Sequence, residues 1–203
     1  MILEPLSYFF GAMLGDGYLY RYGIGESRRT GIDCSDWDIV DRCYRDVTNY
    51  FTDLKPGRRR TYVTYTGTLM HQVKWSDREL YNLMLIAFGD YKLHIPYYIW
   101  NSSRKSKLQF LAGLMDTDGS ISKRKDENSY CLRFGGKYPF VKEVPMLLND
   151  LGIKIASMYN HSQDSDILML NLSVQSSIEN GFQFYCDRKH QVYLKAFSRY
   201  LSP

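Results

Sequence analysis

Two aspartates carry the chemistry this 203-residue chain offers. Asp118 lies in Phe110 to Ser122, FLAGLMDTDGSIS, and Asp16 lies in Tyr8 to Tyr20, YFFGAMLGDGYLY. Each acid closes a stretch of helix-forming composition and is followed by Gly, as Gly17 or Gly119. Gly just past a helix end is a common stop. An acid at that end meets the negative pole of the helix macrodipole. Gly113, inside its helix, costs about 1 kcal/mol relative to Ala. Such local conflicts tend to mark functional sites. Setting Asp16-Gly17 on Asp118-Gly119 sets Gly11 on Gly113 and Gly15 on Thr117. Residues four apart share a helix face, so each helix presents a stripe of small residues that lets two backbones approach closely. The offset, 118 − 16 = 102 residues, is half of the 203-residue chain. The pattern predicts a duplicated half, with the two helices crossing on a pseudo-two-fold axis. That crossing would set Asp16 and Asp118 side by side, where two carboxylates repel unless a divalent cation lies between them. Chance recurrence of Asp-Gly at two helix ends is the plainer explanation. The half-length spacing, with strand-like residues after both copies, argues against it.

The elements that must position these acids repeat in the same order. Ser7 is a plausible N-cap for the first motif helix. YLYRYGIGE and RRTGIDCS read as strands, Tyr-rich and punctuated by Gly. Ser35 or Asp36 then caps a helix with Trp37, Val40, Tyr44 and Val47 in helical periodicity. It ends before the Lys55-Pro56-Gly57 turn. RRRTYVTY and LMHQVKW alternate as strands, and Ser76 to Phe88 reads as a helix with a Ser76–Glu79 capping box. Residues 89–103 form the connection, which places the boundary near Asn101 and divides the chain into 1–101 and 102–203. The second half runs through a motif helix at Arg104 to Thr117 and strands at Gly119 to Lys123 and Tyr130 to Phe134. A helix at Tyr138 to Leu151 follows, where Pro145 should introduce a kink. Strands at Lys154 to Tyr159 and Ile167 to Val174, a short helix near Ser176 and a closing helix at Gln191 to Tyr200 complete it. The expected class is α+β: two pseudo-symmetric α-β-β-α-β-β-α halves, each with an antiparallel four-stranded sheet and helices on one face.

Composition narrows the function. Hydrophobic residues make up 44% of the chain, enough for a core. The longest apolar stretches are too short to span a bilayer. The N-terminal residues lack the basic start of a signal peptide, so a secreted or membrane protein is not expected. Cys34, Cys43, Cys131 and Cys186 form no CxxC pair and suit a reducing compartment. His71, His94, His161 and His190 are scattered without zinc spacing. Net charge is only +4, but it is concentrated at Arg28-Arg29, Arg58 to Arg60, Arg104 to Lys107 and Lys123 to Lys125. Clustered cations suit a polyanion. The Arg104 to Lys107 cluster reads better as a solvated helix face.

LAGLMDTDG (Leu111 to Gly119) matches the LAGLIDADG motif of homing endonucleases at seven of nine positions, and FFGAMLGDG (Phe9 to Gly17) keeps Gly11, Asp16 and Gly17. The chain resembles a single-chain, two-motif member of that family. The resemblance implies that the two sheets form a saddle over DNA and that the protein is a monomer. It also implies cleavage of both strands of a long, asymmetric double-stranded target across the minor groove, with short 3′ overhangs. Asp16 and Asp118, with the backbone carbonyls of Gly15 and Thr117, would hold Mg²⁺, for which Mn²⁺ is an expected substitute. Asp116 has Leu14 as its counterpart, so it is assigned a structural role. The family's basic residue late in the fourth strand falls on Lys74, a good point charge for phosphate. Aligning VKWSD with LSVQS sets Ser173 opposite it, which leaves Gln175, Arg188 or Lys189 to substitute, or one strand cut slowly. Arg21, Arg28, Arg29, Arg58, Arg60, Tyr62, Gln72, Lys123, Lys125 and Arg133 are the candidate DNA contacts. The competing expectations are a maturase that binds its own intron RNA and a DNA-binding regulator with weakened cleavage. The compartment implied is the cytoplasm of a prokaryotic or phage-infected host, or an organelle matrix.

Overall fold

The computed structural model describes residues 3–22, 27–89, 92–124, 129–137, 139–162 and 166–200. The chain begins with a 3-10 turn at Glu4–Leu6 and helix α1, Ser7–Gly15, which runs into β1, Gly17–Tyr22. Next come β2 (Ser27–Cys34), α2 (Trp37–Tyr50), β3 (Arg58–Val63), β4 (Leu69–Trp75) and α3 (Arg78–Phe88). A short α4 (Tyr97–Trp100) precedes the second motif helix α5, Arg104–Thr117. The sequence continues with β5 (Gly119–Lys123), β6 (Tyr130–Gly136), a 3-10 turn (Pro139–Glu143), α6 (Val144–Asp150), β7 (Ile155–Asn160), β8 (Leu168–Leu172), α7 (Val174–Glu179) and α8 (Asp187–Tyr200). Two antiparallel sheets result, ordered β1-β2-β4-β3 and β5-β6-β8-β7. The repeated order is the duplication expected from the motif spacing. Among the described residues no helix is long and apolar enough to cross a membrane.

Several local expectations are corrected. Leu6, not Ser7, is the N-cap of α1, because the Pro5-containing turn leads directly into the helix. Asp77, not Ser76, caps α3, accepting from the Leu80 N–H at 2.8 Å. The single helix expected from Tyr138 to Leu151 is a 3-10 turn followed by α6. Pro145 falls in the first turn of α6, where its missing N–H goes unneeded, so no kink arises. The first half closes with two helices, α3 and the short α4, where one was expected; the second closes with the two expected, α7 and α8. Helix α8 starts at Asp187, ahead of the expected Gln191.

The core sits where α1 crosses α5, and every residue of α1 is buried. A Cβ on Gly11 would stand 2.0 Å from the Phe110 carbonyl oxygen, and one on Gly113 would stand 2.1 Å from the Tyr8 carbonyl oxygen. Tyr8 and Phe110 are related by the same 102-residue offset as the glycines, so the contact obeys the pseudo-two-fold. The glycines that follow the acids also answer to crowding. A Cβ on Gly17 would meet the Met13 carbonyl oxygen at 2.5 Å, and one on Gly119 the Met115 carbonyl oxygen at 2.6 Å. Neither adopts positive φ, so the left-handed stop expected there is replaced by a demand for space.

Gly113→Ala should lower stability by about 1–3 kcal/mol, the ordinary cost of overpacking a fixed contact. Urea denaturation measures this, and an unchanged midpoint would show that the two backbones do not meet.

Candidate active site and nucleic-acid face

The two motif helices end alike. Asp16 is the C-cap residue of α1 (φ −84°, ψ 0°) and Asp118 that of α5 (φ −90°, ψ −7°). Thr117 fills the hollow left by Gly15: its Oγ1 lies 1.9 Å from where a Gly15 Cβ would stand. That hydroxyl donates back to the Gly113 and Leu114 carbonyls, at 3.1 and 3.0 Å. The Asp118 carboxyl carbon lies 3.3 Å from the same point beside Gly15, one residue from Asp16. The acids are therefore brought together as the spacing implied. Burial raises the carboxyl pKa of both, and that of Asp118 reaches about 6, with the charge of Asp16 adding to the effect. The Cys34 thiol donates to Asp16 and opposes the rise there.

Two lysines answer this negative charge. Lys92 Nζ donates to the Gly15 carbonyl at the end of α1. Lys189 Nζ donates to the carbonyls of Met115, Asp116 and Gly119 at 3.0, 2.5 and 2.7 Å, at the end of α5. Each half thus sends one lysine to the carboxyl end of its own motif helix, where a cation is favoured by the exposed carbonyls. Burial pulls both lysine pKa values down, that of Lys92 to about 8 against the upward pull of Asp118 and Asp16, and that of Lys189 against the upward pull of Asp116. Lys92 also holds a left-handed backbone, φ 56°, a conformation that costs a non-Gly residue and is typical of functional positions. Lys92 escaped the sequence reading because it lies in the connection after α3. The signal available was a lysine in the corresponding stretch of each half, 92 − 16 = 76 and 189 − 118 = 71 residues beyond the acid.

Asp116 is 1% exposed and holds structure together. Its Oδ2 accepts from Tyr8 Oη at 2.9 Å and from the Tyr185 and Cys186 N–H groups at 3.0 and 3.1 Å. It links α5 to the other motif helix and to the approach to α8.

Strand parity decides which candidates share the open face. Ile32, Val73, Leu132, Phe134 and Leu170 are buried toward the helices, and the ladders then assign the rest. Arg29, Arg58, Arg60, Tyr62, Gln72 and Lys74 share the opposite face in the first sheet, and Arg133 in the second. Tyr62 donates to Asp33 at 3.0 Å, and Gln72, itself buried, donates to Tyr18 at 3.1 Å. Arg21 and Arg28 are corrected: they pair with each other on the helix side, where Arg28 donates to Asn82 of α3 at 2.9 Å. Lys123 shares the parity of buried Ile121 and also lies off the open face. Lys125 lies outside the described residues.

Lys74 is not brought to the acid pair. It stands on β4, two strands from β1, beside Arg58 on the neighbouring strand; two strand spacings are about 10 Å. Its counterpart is also corrected. Gly17 pairs with Ile32 and Ile32 with Val73; Gly119 pairs with Phe134 and Phe134 with Leu170. Lys74 therefore corresponds to Asn171. Ser173 instead caps α7, accepting from the Ser176 N–H at 3.2 Å. The strand counterpart of Lys74 is thus the uncharged Asn171, not Ser173.

The LAGLIDADG-like domain family matches residues 105–193. No curated protein sequence matches the chain significantly. Among solved structures, a variant of the homing endonuclease I-DmoI, in complex with its target DNA in the presence of Mn, has a TM-score of 0.64 at 16% identity. That match covers 93% of this chain and 97% of that one. The homing endonuclease I-WcaI, bound to its DNA recognition sequence, has a TM-score of 0.55 at 16% identity, covering 98% and 83%. The N-terminal LAGLIDADG domain of WhiA has a TM-score of 0.53 at 14% identity, covering 93% and 86%. The chain has the two-half fold of these structures, and the match to the LAGLIDADG-like domain family falls within its second half.

The raised carboxyl pKa of Asp118 has a consequence for stability. A carboxyl whose folded pKa, about 6, exceeds its model-compound value, 3.8, favours the fold while protonated, and that contribution is lost as pH rises through 6. At pH near 7.5 without divalent metal, Asp118→Asn should therefore stabilise the protein by about 1–3 kcal/mol, and the gain should vanish below pH ~4. Denaturant titration at the two pH values measures it; an equal effect at both would show that the carboxylate bears no such cost.

Proposed function

We propose that this chain is a divalent-metal-dependent, site-specific endonuclease of double-stranded DNA, cutting both strands of a long asymmetric target and leaving short 3′ overhangs. The observation that carries the reading is the acid pair: two carboxylates delivered to one spot by helices that cross at backbone contact. Both are half-buried, with raised pKa values and two lysines set around them. A purely structural acid would not need a like-charged neighbour there.

The donor set suits a hard divalent cation: two adjacent carboxylates and few other groups, leaving room for water. Asp16 and Asp118 would hold it. The carbonyl of Thr117 is a further candidate ligand. That of Gly15 is already engaged by Lys92, which makes it the weaker of the two carbonyl candidates. Bound Mg²⁺ or Mn²⁺ would supply charge neutralisation at the phosphate and acidify water. I-DmoI complexes containing DNA with Mn and with Ca, and a variant with Mg, support a divalent cation at this fold's centre.

The chain's own residues divide the remaining work. Lys92 places a positive charge at the end of α1, where it can bind a scissile phosphate or steady the attacking water, whereas Lys189 is buried with its three donors on backbone carbonyls and holds the end of α5 in place. The open face of the sheets supplies the cations that hold the duplex. Because the two faces differ in sequence, the preferred site is asymmetric. Residues 1–101 and 102–203 act as the two halves of one monomeric enzyme.

Asp16→Asn or Asp118→Asn should reduce cleavage of a selected duplex target by roughly 10²-fold or more while leaving affinity nearly intact. Lys92→Met should slow one strand more than the other, while Lys74→Ala should weaken binding rather than turnover. Strand-resolved cleavage assays read these effects. Loss of binding in step with cleavage would remove the metal-site assignment, and retained cleavage in both aspartate variants would overturn the enzyme reading. Tight DNA binding without cleavage by the unmodified chain would make it a DNA-binding regulator.

A further inference from the structure

The two sheets share a ladder register, so their open faces can be compared position by position. Arg29 corresponds to Cys131, Lys74 to Asn171, Arg58 to Ser157 and Arg60 to Tyr159. Every one of these cations has an uncharged counterpart. One substitution runs the other way: Gly31 corresponds to Arg133. With Asp33 as the acid of the first face, the described strand positions sum to 4 − 1 = +3 on the first sheet and to +1 on the second. We infer that the halves divide DNA recognition unequally: the first sheet supplies most of the phosphate grip, and Arg133 reads a guanine edge near the cut in the second half-site. This inference rests on the nuclease reading above and adds to it a division of labour.

Arg133 is built for reading. It is exposed, yet its Nε donates to Asn171 Oδ1 at 3.1 Å, and Asn171 Nδ2 donates in turn to Ser157 Oγ at 2.7 Å. Its Nη2 lies 3.8 Å from the Cys131 sulfur, a weak contact. The chain of hydrogen bonds holds the guanidinium plane through Nε, with only the weak sulfur contact on Nη2. A planar fork held in place matches the O6 and N7 acceptors of guanine in the major groove. The same side chain lines a cavity of about 270 Å³ with Asp118 and Ser120, which places the base it reads beside the catalytic end. At the equivalent point of the first sheet, a Cβ on Gly31 would meet the Tyr18 hydroxyl at 2.4 Å, so a side chain there would have to displace the Tyr18 ring. On the first face, Arg58 is exposed and Arg60 lies over the Tyr62 ring at 4.7 Å. Cations carried there on an edge strand suit a track of phosphates.

The test compares Arg58→Gln/Arg60→Gln, Arg133→Gln and Arg133→Lys, all at exposed positions, with folding checked by thermal melting. Affinity for a random-sequence duplex is measured by anisotropy in EDTA across a KCl series, and sequence preference by selection from a randomised duplex pool. The double variant should lower the slope of log affinity against log salt by about 2, and Arg133→Gln by less than ~1. Arg133→Lys should keep the slope but lose preference for guanine at one position by roughly 5- to 100-fold. Equal slope losses from the two faces, or a base preference unchanged in Arg133→Lys, would overturn the division while leaving the nuclease reading standing. Failure of the unmodified protein to bind duplex DNA at low salt would overturn both.

Discussion

Where α1 crosses α5, neither Gly11 nor Gly113 has room for one more carbon: each would drive a Cβ into a backbone carbonyl oxygen of the other helix. Much of the centre depends on this contact. A wider crossing would part the helix ends, and Asp16 and Asp118 would cease to be neighbours. The glycine next to each acid belongs to the same arrangement, since a Cβ there would strike the last turn of its own helix. The strand must leave the helix at once, and the acid is held at the turning point between them.

That arrangement concentrates unfavourable terms in one place. Two carboxylates sit at the carbonyl ends of two helices, half-buried, where burial, the macrodipole and, for Asp118, the charge of Asp16 oppose ionisation. The fold meets this with two lysines, one from each half, so the formal charges of the four groups cancel. Asp116, two residues earlier on α5, is handled differently. Three donors converge on one of its oxygens, although burial still lifts its pKa to about 6. It fastens the end of α5 against α1 and the approach to α8. Asp116 thus has its hydrogen-bond donors built in and ties three elements together, whereas Asp16 and Asp118 face each other beside Lys92.

Much of this was legible in the sequence, for a physical reason. The small-residue stripes and the acid after each helix are constraints on single positions, and single positions survive in a string of letters. The duplicated order and the two sheets followed from ordinary periodicity and turn chemistry. What failed to show was anything decided by pairing. Ser173 falls opposite Lys74 when short strings are aligned, whereas the ladder sets Lys74 against Asn171 and leaves Ser173 as a helix cap. The link from β8 to the next cap is a residue shorter than that from β4, which runs through Ser76 to Asp77. Arg21 and Arg28 lay in the right strands on the wrong face, an error set by the period of two. Lys92 reaches the site from a connection, where no periodicity announces it. Pro145 was read as a kink because its place within the helix depends on where the preceding 3-10 turn stops.

The same distinction explains why the halves could diverge as they have. At the crossing, Gly11 and Gly113 face equivalent carbonyls, so a change on one side must satisfy the backbone of the other, and the pair stays symmetric. On the open faces nothing imposes that symmetry. Arg29, Arg58, Arg60 and Lys74 are held only by their own strands and can be exchanged for Cys131, Ser157, Tyr159 and Asn171 without disturbing the core. One open-face position is an exception. Gly31 lies under the Tyr18 ring, so the first sheet cannot carry an arginine where the second carries Arg133 unless Tyr18 changes too; Ser120, the counterpart of Tyr18, leaves that space open. A duplicated scaffold that fixes its centre and frees its faces is suited to an asymmetric partner, because the requirement for symmetry ends where packing ends.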